Sequence, residues 1–438
     1  MKLMSKKASL VLLLIMSLTR CTNIQEPTNL KTAKSYFSEL DSLCSVDNGK
    51  LWGINLYGAT MLVDPQSRLI VANQSDNNKC LKEKDGVYIG KLPLNYNISN
   101  TSFDWNGKKW TMVMWNALSS TDKYSRDQLL IHESWHRIQN EIGIKPLMSE
   151  NTHLDGLQGA ILLKLELSSL MKALQTEEIL QKKKCLSNAL TIRKYRQLLF
   201  PNNTENDFER HEGMAEYTGY KLCGLSDSII TKVVSKKLEL SMDKDGLANS
   251  FAYLTGPAYG ILFNNFQNNW IREILQGKRL PEIGLEIEGI NIPSDSAKLK
   301  STISMIISEY HAETLVKSET EKFKQQNKLI AYYKQKLING NQLIIRNNNL
   351  NFSYNPQEKL IPIDSLGVVY KTMRITGEWG FIEVNNGILR TNDWKAFVVS
   401  APTSANAGTI EESDYRLVLN NRWCVYKVKD GKYTLKKN

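Results

Sequence analysis

His132-Glu133-Ser134-Trp135-His136 is the stretch on which the reading of this chain turns. It uses two of only five histidines in 438 residues. On a helix, positions i and i+4 share a face, so both imidazoles can point at one metal ion. Glu133 projects about 100° further round, within reach of a water on that ion but not forced to ligate. Two nitrogen ligands, a carboxylate base and an open coordination position are what metal-assisted hydrolysis requires.

The flanking residues predict that this segment is an amphipathic helix. Ser125-x-x-Gln128 reads as a capping box. Ile131, Trp135, Ile138 and Ile142 recur at helical spacing, and Gly143 stands where such a helix should stop. The histidines fall at the border of the apolar stripe.

A zinc site of this kind wants a third protein ligand. His211-Glu212-Gly213-Met214-Ala215-Glu216-Tyr217 is the prominent later candidate. Glu212 and Glu216 are again i and i+4. One can bind metal while the other accepts a hydrogen bond from a ligating imidazole. Gly213 and Ala215 are small enough for close helix approach. His211 and His153 are rival ligands. His211 is adjacent to Glu212, so it cannot share its helical face. His153, in Asn151-Thr152-His153-Leu154-Asp155, reads as a residue at the start of a helix. His311 lies among charged residues and reads as solvated.

Taken together, HESWH followed by EGMAEY resembles the gluzincin zinc metallopeptidases, over roughly residues 105–265. The resemblance implies a Zn²⁺ cofactor and a thermolysin-like helical domain. It makes Glu212 the third ligand, Glu216 its partner against a ligating imidazole, and Glu133 the general base. A long helical insertion separates His136 from Glu212, further than in the familiar branches. Many gluzincin aminopeptidases carry a tyrosine three residues before a glycine, whose hydroxyl steadies the oxyanion. Tyr253 with Gly256 fits that spacing loosely, and Tyr259 is the alternative. Core packing around the Gly256-Pro257 kink accounts for at least one of the two. No G-x-M-E-N anchor precedes the helix, which leans toward an endopeptidase or an unusual exopeptidase.

Residues 1–20 read as a signal peptide, with Lys2, Lys6 and Lys7 ahead of an apolar run from Leu10 to Leu18. Leu18-Thr19-Arg20-Cys21 resembles a bacterial lipoprotein box, although Arg20 stands where a small residue is usual. The expectation is an exported protein, lipid-anchored at Cys21 on the periplasmic or cell-surface side, with a soluble secreted form as the alternative. The remaining cysteines lack paired spacing. The net charge is +11, but the lysines are dispersed among carboxylates, so nucleic acid is not an expected partner. A peptide or protein substrate is.

Composition is ordinary for a globular chain, 42% hydrophobic and 23% charged. After a linker and helix at 21–50, residues 51–118 carry strand chemistry. Trp105-Asn106-Gly107-Lys108 reads as a hairpin turn, and Trp110–Trp115 as a strand that either edges a peptide cleft or is an ordinary buried strand. Residues 119–340 read as the helical peptidase domain. Glu166, within an apolar helix, needs a partner there, either the metal site or, as the preferred reading, a nearby Lys or Arg. From 341 to 438, short strands at regular intervals predict a β-sandwich-like domain. The fold class expected is α+β, with an antiparallel N-terminal sheet, a helical middle and a C-terminal β domain.

The functional expectation is an exported zinc metallopeptidase. The alternative is a lipid-anchored binding or scaffold protein with a structural or degenerate metal site. Hydrolysis of a non-peptide amide is a weaker third.

Overall fold

The computed structural model describes residues 29–93, 96, 98–146, 151–267, 269–348, 350–354, 360–404 and 408–437. The expected signal peptide and Cys21 lie outside the described residues. Among the described residues no helix is long and apolar enough to cross a membrane. The chain mixes an N-terminal sheet, a helical middle and C-terminal sheets. It divides into two compact units, and the helices between 119 and 340 are shared between them.

The first unit combines the described part of Met1–Leu147 with Arg210–Thr231 and Asn269–Lys278. Its sheet is built from β1 (Thr60–Val63), β2 (Leu69–Ala72), β3 (Lys82–Lys84), β4 (Val87–Lys91), β5 (Thr101–Trp105) and β6 (Lys108–Met114). The strand order is β3-β4-β2-β1-β6-β5. Pairing is antiparallel except between β1 and β6, which run parallel, so the expected antiparallel sheet is in fact mixed. Trp105 and Lys108 face each other across the β5–β6 hairpin. Asn106 and Gly107 have φ of 48° and 77°, the left-handed pair that a two-residue hairpin turn requires.

The strand expected to edge the cleft is an interior one. β6 is hydrogen-bonded to β1 on one side and β5 on the other, and Trp110, Met112 and Val113 are buried. The edge beside it is β5, whose residues are mostly half-buried. A run as apolar as Trp110–Trp115 needs neighbours on both sides, and that displaces it from the rim.

The HExxH helix spans Lys123–Ile138. Its N-cap is Asp122, whose carboxylate accepts from the Tyr124 and Ser125 amides, so the helix starts before the expected capping box. Leu130, Ile131, Ser134, Trp135 and Ile138 form its buried stripe. It packs on β5 and β6 and against the helix Met214–Leu222. The latter approach depends on Gly219, where a Cβ would stand 2.7 Å from the Gln128 carbonyl oxygen. Trp52 meets Trp135 edge-on at 5.6 Å and donates its indole N–H to Thr218 at 2.9 Å. Truncating a buried tryptophan such as Trp135 to alanine costs about 3–5 kcal/mol.

The second unit combines the described parts of Met148–Glu209, Lys232–Asn268 and Arg279–Asn438. Its helices Leu157–Gln175 and Ile179–Leu199 pack as a pair. They enclose an ion cluster. Arg193 binds Glu166 and Glu209, and Arg196 binds Glu166 and Glu205, with all these side chains fully buried. Glu166 thus has two guanidinium partners. The C-terminal strands form a seven-stranded and a five-stranded sheet. Leu343, Phe397 and Val399 of one sheet and Ile375, Ile382 and Leu417 of the other share a core, as in a sandwich. Tyr333 and Leu337, just before the first of these strands, are buried against Ile361, Val369 and Leu389.

Candidate metal centre

Three side chains of the first unit converge. His132 and His136 come from the Lys123–Ile138 helix, one turn apart, because Trp135 and Ile138 anchor the adjacent stripe in the core. Glu212 comes from a π turn, Glu209–Gly213, leading into Met214–Leu222. His132 Nε2 and His136 Nε2 are 3.2 Å apart. Glu212 Oε2 lies 3.5 Å from the former and 3.4 Å from the latter. Zinc–ligand bonds near 2.0–2.1 Å at tetrahedral angles put donor atoms about 3.3–3.4 Å apart. The triangle therefore fits one face of a zinc tetrahedron and leaves the fourth corner open. Among the described residues these three form a grouping that could hold a metal ion.

The rings are held from behind. Glu216 Oε2 lies 2.9 Å from His132 Nδ1 and accepts from the Gln128 amide at 2.8 Å. Ser102 of β5 donates its hydroxyl to the His136 carbonyl at 3.1 Å. The metal-free electrostatics are those of an anion–cation cluster. Burial alone would lower the His132 pKa, but hydrogen bonds to Glu212 and Glu216 raise it to about 10. Burial opposes ionisation of Glu212 too, yet contacts with His132, His136 and His211 hold its carboxyl well below the usual carboxylate range.

Glu133 is 6% exposed, on the same helix as both histidines. Burial pushes its carboxyl above the ordinary value, while the two histidines pull the other way. A carboxylate made more basic beside a metal position is suited to taking a proton from water.

The structure places the other sequence candidates as follows. His211 joins the cluster. Its ring centroid is 4.9 Å from that of His136, and its Nε2 is 3.0 Å from Glu212 Oε1. His211 and Glu212 both lie in the π turn Glu209–Gly213. His153 lies in a 3-10 turn of the second unit, with Nε2 2.7 Å from Glu205 Oε1. His311 is exposed, at φ 50° in the turn before the helix Glu313–Lys334.

Tyr253 and Tyr259 sit on the helix Ala252–Phe263 of the second unit. Tyr259 is fully buried and donates its hydroxyl to Glu166 at 2.7 Å, with the Arg193 guanidinium over its ring. That geometry supports packing, not oxyanion binding, for Tyr259. Tyr253 is half-buried.

Gln139, one residue beyond the HExxH helix, belongs to no motif in the sequence. Its Oε1 is 2.7 Å from His136 Nδ1 and 3.0 Å from His211 Nδ1. Its only sequence signal is its place three residues after a ligand candidate.

No protein-family model matches this chain, and neither a curated protein nor a solved structure is significantly similar to it.

Proposed function

We propose that this protein is a zinc-dependent metallopeptidase of gluzincin type, exported and acting on peptide bonds. The observation that carries this reading is the donor triangle of His132, His136 and Glu212, with the buried Glu133 beside it. His132 and His136 would offer Nε2, and Glu212 its Oε2. A zinc ion held there supplies Lewis acidity and an activated water near neutral pH. Glu133 takes the proton of the attacking water on its carboxylate and delivers it to the leaving amine. Its position on the same helix as both histidines, buried beside them, supports this. Glu216 keeps the His132 ring in place through Nδ1. Export rests on the basic and apolar segment at residues 1–20.

The test is digestion of a peptide library by the purified chain, with and without a chelator. Chelator-sensitive cleavage supports the reading. Metal binding without any cleavage would favour a binding protein with a structural metal site.

A further inference from the structure

We propose that Gln139 is a positioning residue of the metal centre. It holds His136 with Nε2 toward the metal. This inference rests on the metal reading above.

The contacts run as an unbroken chain. Gln139 Oε1 meets the Nδ1 atoms of both His136 and His211. His211 Nε2 meets Glu212 Oε1 at 3.0 Å. Glu212 Oε2, the other oxygen, is the one near both Nε2 atoms of the HExxH pair. One carboxamide therefore touches the back of one donor directly and of a second donor through one ring. His132 is supported separately, by Glu216.

The identity of the Gln139 atom matters. An oxygen can only accept, so His136 must carry its hydrogen on Nδ1, leaving the Nε2 lone pair free to ligate. An amide nitrogen in its place would donate to Nδ1 and turn an N–H toward the metal. The carboxamide orientation and the ligating tautomer thus imply one another.

Gln139 also carries a cost that packing alone does not explain. It is buried, and its Nε2 has no hydrogen-bond partner among the described residues. A residue kept only to fill space would do better without that N–H group. What sets glutamine apart from an apolar side chain of similar length is the oxygen.

The experiment measures zinc affinity by competition with a chromophoric chelator, and the absorption spectrum of the cobalt-substituted protein, for the full chain and for Gln139→Met and Gln139→Glu. Methionine keeps the length and loses the acceptor, and its zinc affinity should fall about 10–100-fold with an altered cobalt spectrum. Glutamate keeps an acceptor oxygen and should restore both readouts. Thermal unfolding of the metal-free forms shows whether each is folded. Gln139→Leu, which also removes the acceptor, should weaken zinc in the same way and serves if Gln139→Met does not fold. Wild-type affinity and spectrum in Gln139→Met, or in its substitute Gln139→Leu, would overturn the inference while leaving the metal reading intact. A wild-type chain that binds no zinc would overturn both.

Discussion

Glu216 grips His132 from the side away from the metal position, with Oε2 2.9 Å from Nδ1. Because the same oxygen also accepts from Gln128, the carboxylate is fixed before any metal arrives. Glu216→Ala should weaken zinc binding about 10–100-fold without changing the ligand set. Equilibrium competition with a chelator measures this. Unchanged affinity would show that the contact does not orient the ring.

Glu133 faces the opposite expectation. Its carboxylate is assigned proton transfer and not ligation, so Glu133→Gln should bind zinc as tightly as wild type. Turnover should fall roughly 10²–10⁴-fold. Zinc affinity and peptide cleavage measured on one preparation separate the two effects. A variant that loses zinc in step with activity would make Glu133 a ligand.

Much of this centre is legible in the residues. The i, i+4 spacing of His132 and His136 and the apolar stripe through Trp135 place chemistry on a helix of regular geometry, and the later glutamate pair marks the segment that meets it. The turn at Asn106-Gly107 is legible because it demands left-handed φ angles. Four features were not legible, each because it depends on tertiary contacts. The π turn that carries His211 and Glu212 has no local sequence signature. Gln139 matters only for what it meets across space. Gly219 marks a close approach to Gln128 that a single chain does not reveal. The parallel pairing of β1 with β6, which buries Trp110–Trp115 between two neighbours, is set by long-range contacts and not by the strand's own pattern.

Arg193 reaches both Glu166 and Glu209 in a fully buried setting. Arg193→Met would leave two buried carboxylates short of a partner and cost about 3–5 kcal/mol in stability. Chemical denaturation is the appropriate measurement. A loss below about 1 kcal/mol, as at an exposed pair, would mean that the cluster rearranges freely.

The same cluster should make the protein acid-sensitive. Burial alone would raise the Glu205 pKa, but Arg196, with help from His153 and Arg193, holds it well below its ordinary 4.5. The folded state therefore binds this proton less readily than the unfolded state. The resulting stabilisation is complete above 4.5 and is lost as the pH falls through the depressed folded value. Wild type should be more stable than Glu205→Gln near neutrality, and the gap should narrow below 4.5. A gap that stays constant across that range would show that Glu205 is not held as an anion by its neighbours.

Zinc titration of the purified chain beside His132→Ala, His136→Ala and Glu212→Ala tests the central claim most directly. Wild type should bind a single zinc ion tightly, and each variant should lose that binding or weaken it by orders of magnitude. A wild-type chain without zinc affinity, or a Glu212→Ala chain that keeps it undiminished, would contradict the assignment of these three residues to one metal.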